Sequence, residues 1–269
     1  MGIERSRGSG DFFAKGWRRF AYDETLARWV AQALPAARAA VAAPENAQWR
    51  RSAGTWFVGV NALPNDAAGA LPGGTPLAGR AVDFIRNDLR LGAFDWDSAQ
   101  VSVVYPGYPQ QTESESEGAF RFRRERDAAH VDGVLHEGPR KRRYLCQFHR
   151  FILGIPMVES AGASPLVVWE GSHELVRRAL LERLGAMPAA RWQDEDITEL
   201  YRSVRREIFE TCERVELVAQ PGEAYLLHRL VLHGIAPWPE SAPAGADGRM
   251  IAYFRPEAEE PTQAWLTAP

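Results

Sequence analysis

From residue 55 onwards, short β-type runs alternate with turn residues, and they constrain the fold of this chain more than any other feature. Seven runs are rich in β-branched and aromatic residues, and turn residues such as Pro-Gly pairs separate them. They cover residues 55–60, 100–105, 144–155, 165–169, 214–219, 223–233 and 249–255. Strands at this density favour a sandwich, a barrel or a double-stranded β-helix.

Four helix-type patterns flank these runs, at residues 23–34, 78–92, 172–185 and 194–213. Their apolar residues recur at the spacing of one helix face. Asp23 is the predicted N-cap of the first helix, and Pro35 its predicted end. A chain of 269 residues is long enough for one large core. We therefore predict a mainly β fold with flanking α-helices in one domain, residues 1–269, with a helical part at about 20–92 and barrel strands at about 100–256.

Composition excludes several classes of function. The formal net charge of −3 carries no basic excess, so we expect no nucleic-acid partner. Cys146 and Cys212 lie far apart without metal-site spacing, which is typical of free thiols in a reducing compartment. The first residues lack the apolar core of a signal peptide, and no apolar run has the length of a membrane span. These features predict a cytoplasmic protein with no membrane partner.

The stretch AAHVDGVLHEG, at 128–138, contains a histidine and an aspartate two residues apart. If it is a strand, His130 and Asp132 share a face, because successive side chains of a strand point to opposite faces. An imidazole and a carboxylate directed at one point are two members of a metal site. The alternative is a pair of polar residues on the solvated face of a half-buried strand.

A third ligand is expected on a late strand. The stretch EAYLLHRLVLHG offers His228 and His233, which face opposite ways if the strand is regular. We favour His233, because Gly234 follows it and lets the backbone turn close to a bound ion. Two histidines and one carboxylate form the facial triad of non-haem iron(II) enzymes, which leaves positions open for a co-substrate and dioxygen.

A dicarboxylate co-substrate such as 2-oxoglutarate also needs a cation inside the barrel, and a guanidinium pairs with both carboxylate oxygens. Arg249 and Arg255 lie on the last predicted strand and, being six residues apart, share a face. We favour Arg249, which opens that strand nearer in sequence to His233, and retain Arg255 as the alternative. A surface ion pair is the other interpretation of either arginine.

Two further residues are weaker candidates. His136 has the same parity as the His130–Asp132 pair, which predicts a place in the substrate pocket, unless the strand ends first and His136 lies in a loop. Tyr105 ends the run QVSVVY. It is a candidate hydrogen-bond partner for 2-oxoglutarate, although an aromatic residue in a strand is more often part of the core.

Four segments in order resemble the phytanoyl-CoA dioxygenase family of Fe(II)- and 2-oxoglutarate-dependent oxygenases. They are HVDG at 130–133, PLVVWEGSHEL at 165–175, QPGEAYLLHRLVLHG at 220–234 and RMIAYFRP at 249–256. The resemblance implies that His130, Asp132 and His233 bind iron, that Arg249 binds 2-oxoglutarate and that His173 is structural. The chain departs from the family in its longer connection between the third ligand and the arginine, and in the glycine that follows the H-x-D pair.

The resemblance implies a jelly-roll, cupin-like double-stranded β-helix with helices packed outside. It also implies a dioxygenase that hydroxylates a small organic substrate and releases succinate and CO₂ from 2-oxoglutarate. A cupin-like metal-dependent isomerase or hydrolase without 2-oxoglutarate is the alternative enzyme, and such an enzyme has no need of Arg249. A binding module that kept only the fold is the non-enzymatic alternative.

Overall fold

The chain folds into twelve β-strands and seven α-helices within the residues that the computed structural model describes, which are 9–89, 91, 93–243, 245–258 and 260–268. The helices are α1 (Ser9–Lys15), α2 (Glu24–Ala42), α3 (Arg80–Asn87), α4 (Glu117–Glu125), α5 (Ser172–Leu184), α6 (Thr198–Thr211) and α7 (Gln263–Thr267). The strands are β1 (Trp17–Phe20), β2 (Arg50–Arg51), β3 (Trp56–Gly59), β4 (Gln100–Val104), β5 (Val134–Glu137), β6 (Arg142–Leu145), β7 (Phe151–Pro156), β8 (Leu166–Trp169), β9 (Arg214–Leu217), β10 (Ala224–His228), β11 (His233–Ile235) and β12 (Arg249–Phe254).

A seven-stranded antiparallel sheet forms the centre of the molecule, in the order β1-β10-β7-β12-β4-β3-β2. Its four strands β10, β7, β12 and β4 are buried on both faces, and successive residues alternate between two cores. In β12, Met250, Ala252 and Phe254 pack with buried residues of α2 and α3. Ile251 and Tyr253 belong to the core on the opposite face. One strand thereby supplies apolar residues to the helices and a second set of side chains to the interior.

A three-stranded sheet, β11-β8-β9, covers that interior face. Leu166 and Val168 of β8 pack with Ile152 and Tyr253 of the large sheet. The alternate residues of β8, Val167 and Trp169, point to the other face and pack with α5 and α6. The layers are therefore helices, large sheet, small sheet and helices, which confirms the predicted mainly β fold with flanking helices. The assignment of all 269 residues to one domain stays a prediction.

The first helix is longer than predicted. Asp23 is its N-cap, as expected, and its side chain accepts a hydrogen bond from Thr25 N at 2.8 Å. The helix does not end at Pro35 but continues to Ala42. An internal proline costs roughly 3 kcal/mol. The burial of Leu26, Trp29 and Val30 of the same helix against the large sheet offsets that cost, because each large apolar side chain contributes about 1.5–3 kcal/mol. The helix predicted at 78–92 ends at Asn87, and residue 92 lies outside the described residues.

Two of the predicted strands are each in fact two. The run at 144–155 forms the end of β6 and, in the large sheet, β7. The run at 223–233 forms β10 in the large sheet and β11 in the small sheet. His228 therefore ends one strand and His233 begins another, so they are not on opposite faces of one regular strand. Among the described residues, no helix combines the length and the apolar character needed to cross a membrane.

Gly234 is needed in β11 because another backbone lies directly against it. Asp127 O accepts a hydrogen bond from Ile235 N at 2.9 Å. A Cβ atom on Gly234 would lie 2.1 Å from that same carbonyl oxygen. The segment at 127–130 can reach β11 only because residue 234 lacks a side chain. The sequence suggested a different reason, the approach of the backbone to an ion.

We expect Gly234→Ala to destabilise the protein by about 1–3 kcal/mol, the usual cost of overpacking a buried site. Urea unfolding monitored by circular dichroism measures the change. Gly118→Ala in α4 is the control, because a Cβ atom there meets nothing within 4 Å. It should remain within about 1 kcal/mol of wild type. Equal unfolding midpoints for the two variants would contradict the steric explanation.

Candidate metal centre

Two histidines face each other across a pair of backbone hydrogen bonds. His130 N donates to His233 O at 2.8 Å, and His233 N donates to His130 O at 2.9 Å. This exchange extends the small sheet by a single antiparallel bridge. It places the two side chains directly opposite each other, with ring centroids 4.6 Å apart.

Both imidazoles are oriented by the same local contact. The Nδ1 of His130 lies 3.0 Å from Ala128 O, and the Nδ1 of His233 lies 3.0 Å from Val231 O. A carbonyl oxygen only accepts, so each Nδ1 carries the hydrogen. In the neutral imidazole each Nε2 is then left with its lone pair, which is the arrangement of a metal-binding histidine with an oriented outer nitrogen.

Asp132 reaches the same point by a turn and not along a strand. His130 and Asp132 do not lie on one regular strand, because β5 begins only at Val134. Val131 N donates to the hydroxyl of Tyr201 at 3.0 Å, and Gly133 adopts a φ of +81°. A Cβ atom on Gly133 would lie 2.3 Å from Gln147 O, so this turn requires glycine.

The three side chains converge on one small volume. Asp132 Oδ1 lies 3.2 Å from His130 Nε2 and 3.7 Å from His233 Nε2. One ligand atom from each residue lies within 4.8 Å of the others. Two imidazole nitrogens and one carboxylate oxygen form a donor set that suits iron(II). The structure thus brings together the three residues that the sequence predicted as ligands.

The charges of this cluster favour a cation. Burial would raise the pKa of Asp132, but Arg255 and the hydrogen bond with His130 hold it well below its usual value. Desolvation opposes a charge on His130, yet the hydrogen bond and attraction of Asp132 raise the pKa of this imidazole. Burial lowers the pKa of His233 to about 4, against the attraction of Asp132. A proton held between His130 and Asp132 therefore competes with a metal ion for the same atoms.

A cavity of about 50 Å³ lies beside the cluster, between the two sheets. Its wall includes Trp56, Gln100 and Ser102 of the large sheet, and Trp56 Nε1 donates to Ser102 Oγ at 3.1 Å. Sequence reasoning missed these residues. The signal was present in QVSVVY, where buried Gln100 and Ser102 alternate with valines that pack against the helices. The polar residues of this strand therefore face the interior.

Arg249, which begins β12, and Arg255, which follows it, both face the interior. The sequence predicted this, because the two residues are an even number of positions apart and therefore share a face. Arg255 lines the cavity, and its Nη1 lies 3.3 Å from Asp132 Oδ2. Arg249 lies at the other end of the strand with only 3% of its surface exposed. Its Nη2 donates to the hydroxyls of Tyr225 at 3.1 Å and Tyr253 at 3.4 Å. Its Nη1 has no hydrogen-bond partner among the described residues.

Two weaker candidates lie elsewhere. Tyr105 follows β4 and packs against the core between the large sheet and the helices. His136 is exposed on β5 and is not part of the cavity wall. The structure brings neither residue to the metal cluster. His173 is buried, and its Nε2 lies 2.9 Å from Phe13 O, which is consistent with the structural role that the resemblance implies.

Asp97 holds the backbone at the end of β12. Both of its carboxylate oxygens lie 3.0 Å from Arg255 N, which donates to them. Burial raises the pKa of Asp97 to about 6, although the hydrogen bonding with Arg255 opposes that shift. The carboxylate is therefore kept in place at the expense of its hydration.

Comparison with known proteins identifies the fold. No protein-family model matches the chain, and no curated protein matches it. Among solved structures, EctD from S. alaskensis with bound Fe is similar to this chain, with a TM-score of 0.50 and 17% sequence identity. The alignment includes 95% of this chain and 79% of the EctD chain. SnoK, a non-heme alpha ketoglutarate dependent carbocyclase from nogalamycin biosynthesis, aligns with a TM-score of 0.48 and 11% sequence identity. That alignment includes 94% of this chain and 83% of the SnoK chain. The likeness to EctD confirms the predicted double-stranded β-helix.

The raised pKa of Asp97 predicts a pH-dependent stability. The pKa of Asp97 in the folded chain is about 6, whereas in the unfolded chain it lies near the ordinary aspartate value of 3.8. The stabilising contribution is complete below the unfolded pKa and is lost as pH rises through about 6. Relative to Asp97→Asn, wild type should lose at most about 3 kcal/mol over this range.

Urea unfolding at a series of pH values measures that difference. Asp95→Asn is the control, since it removes an exposed carboxylate two residues away and reports the effect of net charge alone. If wild type and Asp97→Asn changed in parallel across the series, the account of Asp97 would be wrong.

Proposed function

We propose that this chain is an Fe(II)- and 2-oxoglutarate-dependent dioxygenase that hydroxylates a small organic substrate, with release of succinate and CO₂. The observation that carries the proposal is the convergence of His130, Asp132 and His233 beside a cavity. Arg249, a buried arginine with no ion pair among the described residues, lies on the interior face of the same sheet. The fold shared with EctD, a protein crystallised with Fe, supports the proposal.

The three ligands fit iron(II) by their chemistry. Each histidine offers Nε2, and Asp132 offers Oδ1 with a pKa held well below its usual value, so the carboxylate is charged at neutral pH. In this proposal, bound iron(II) with 2-oxoglutarate activates dioxygen for attack on a substrate C–H bond. The chain's own part is to orient the ligands through the carbonyls of Ala128 and Val231.

Arg249 is the residue best suited to the distal carboxylate of 2-oxoglutarate. Arginine is rarely buried without an anion. Within the part of the chain that the structure describes, however, Arg249 Nη2 donates to two neutral hydroxyls and its Nη1 has no partner. A carboxylate would supply the missing charge and accept from the guanidinium fork. Arg255 is less suited to this role, because its guanidinium already pairs with Asp132.

The cavity wall suits a small substrate that carries both polar and apolar groups. Gln100 and Ser102 provide hydrogen-bonding groups, while Ile152, Leu166 and Ile235 provide an apolar surface. Such a surface excludes water from the reacting atoms. Membership of the phytanoyl-CoA dioxygenase family, a cytoplasmic location and the absence of nucleic-acid and membrane partners are part of the same proposal, with dioxygen as the second small-molecule partner.

Anaerobic addition of iron(II) and 2-oxoglutarate should produce the weak visible absorption band of an iron chelate. Asp132→Ala should abolish the band, because it removes one of three ligands. Arg249→Met should weaken 2-oxoglutarate binding by roughly 10- to 100-fold, the usual loss for a charged hydrogen bond. Absorbance titration with 2-oxoglutarate measures both changes. Arg28→Met, which removes an exposed arginine paired with Glu24, is the control and should bind like wild type.

Other results would select another function. Iron binding without the band would exclude 2-oxoglutarate as co-substrate and favour the cupin-like isomerase or hydrolase. If wild type bound no iron, the cluster would be an ordinary set of polar residues and the enzymatic proposal would fail. With the band present, release of succinate in the presence of candidate compounds identifies the substrate.

A further inference from the structure

The two carboxylate oxygens of Asp132 have different partners. Oδ1 lies 3.2 Å from His130 Nε2 and 3.7 Å from His233 Nε2. Oδ2 lies 3.3 Å from Arg255 Nη1. One oxygen therefore faces the imidazole nitrogens, and the other faces a guanidinium. The side chain of Asp132 is only 9% exposed, so water does not substitute freely for either partner.

Arg255 is itself held from both sides of its backbone. Its N–H donates to both oxygens of Asp97 at 3.0 Å. Its carbonyl oxygen lies 3.0 Å from His149 Nδ1, which donates to it. His149 is 4% exposed, and Phe254 precedes Arg255 in a central strand. The guanidinium therefore projects from a fixed point just beyond β12.

We propose that Arg255 is a positioning residue that holds Asp132 Oδ2 and thereby presents Oδ1 alone to the metal. Without this contact the carboxylate can turn, and both oxygens can compete for the metal and for the position of the co-substrate. Ligating carboxylates are commonly fixed by such outer contacts, whose loss costs about 10- to 100-fold in metal affinity or activity. This inference rests on the proposed function in one respect, that the cluster binds a divalent metal.

Metal affinity separates positioning from simple electrostatics. A positive charge beside a metal ion repels it, so electrostatics alone predicts that Arg255→Met binds a divalent cation more tightly than wild type. Positioning predicts the opposite, a loss of about 10- to 100-fold. Arg255→Lys keeps the charge but not the planar fork, and it should lie between Arg255→Met and wild type.

The experiment is a titration of each protein with cobalt(II) in the absence of 2-oxoglutarate, followed by the visible spectrum of the bound metal. Weaker binding and an altered spectrum in Arg255→Met, with partial recovery in Arg255→Lys, are the expected results. Arg28→Met is the control, since it also removes an arginine, but an exposed one that pairs with Glu24. It should bind cobalt(II) like wild type.

Each outcome decides between the two proposals. If wild type bound no divalent metal, the proposed function itself would fail. If wild type bound cobalt(II) and Arg255→Met bound it equally or more tightly, only the role of Arg255 would be refuted. Circular dichroism checks the fold of each variant. Should Arg255→Met not fold, equal affinity and spectrum in Arg255→Lys and wild type would refute the positioning role by themselves.

Discussion

The exchange of two backbone hydrogen bonds between His130 and His233 is the contact on which the candidate site depends. It joins the segment before the β5–β6 hairpin to the small sheet and places two imidazoles opposite each other. Gly234 permits the close approach, and the carbonyls two residues before each histidine orient the rings. Backbone geometry, and not side-chain attraction, thus brings the ligands together. Once the ligands are together, the carboxylate of Asp132 raises the pKa of His130, and burial lowers the pKa of His233.

The alternation of side chains along a strand explains why a buried sheet can carry both a core and a site. In β12, the residues that pack with α2 and α3 are Met250, Ala252 and Phe254. The positions between them point into the space under the small sheet. The helices therefore fix the strand without contributing to the cavity, and the interior positions are free to be arginine or tyrosine. Stability and chemistry are supplied by opposite faces of the same strand.

Parity was also what made much of this site predictable from sequence. It correctly grouped Arg249 with Arg255. The H-x-D spacing with a late histidine identified three side chains that do converge, but His130 and Asp132 meet by a turn and not by sharing a strand face. It failed where the chain leaves regular structure. The chain turns at Gly133, and His136 beyond that turn is exposed, while the break after His228 places His233 in another sheet. These features follow from contacts between segments distant in sequence, which a local pattern does not contain.

The two interior arginines differ in how their charges are compensated. Arg255 has Asp132 as its partner, whereas Arg249 is fully buried with two neutral hydroxyls. A buried cation without an anion destabilises the folded chain. An anion that binds at Arg249 relieves that cost, and any ligand that binds only the folded state raises its stability. In the proposed function, the occupancy of the barrel at Arg249 is therefore linked to the stability of the fold, while Arg255 holds Asp132 whether or not a co-substrate is bound.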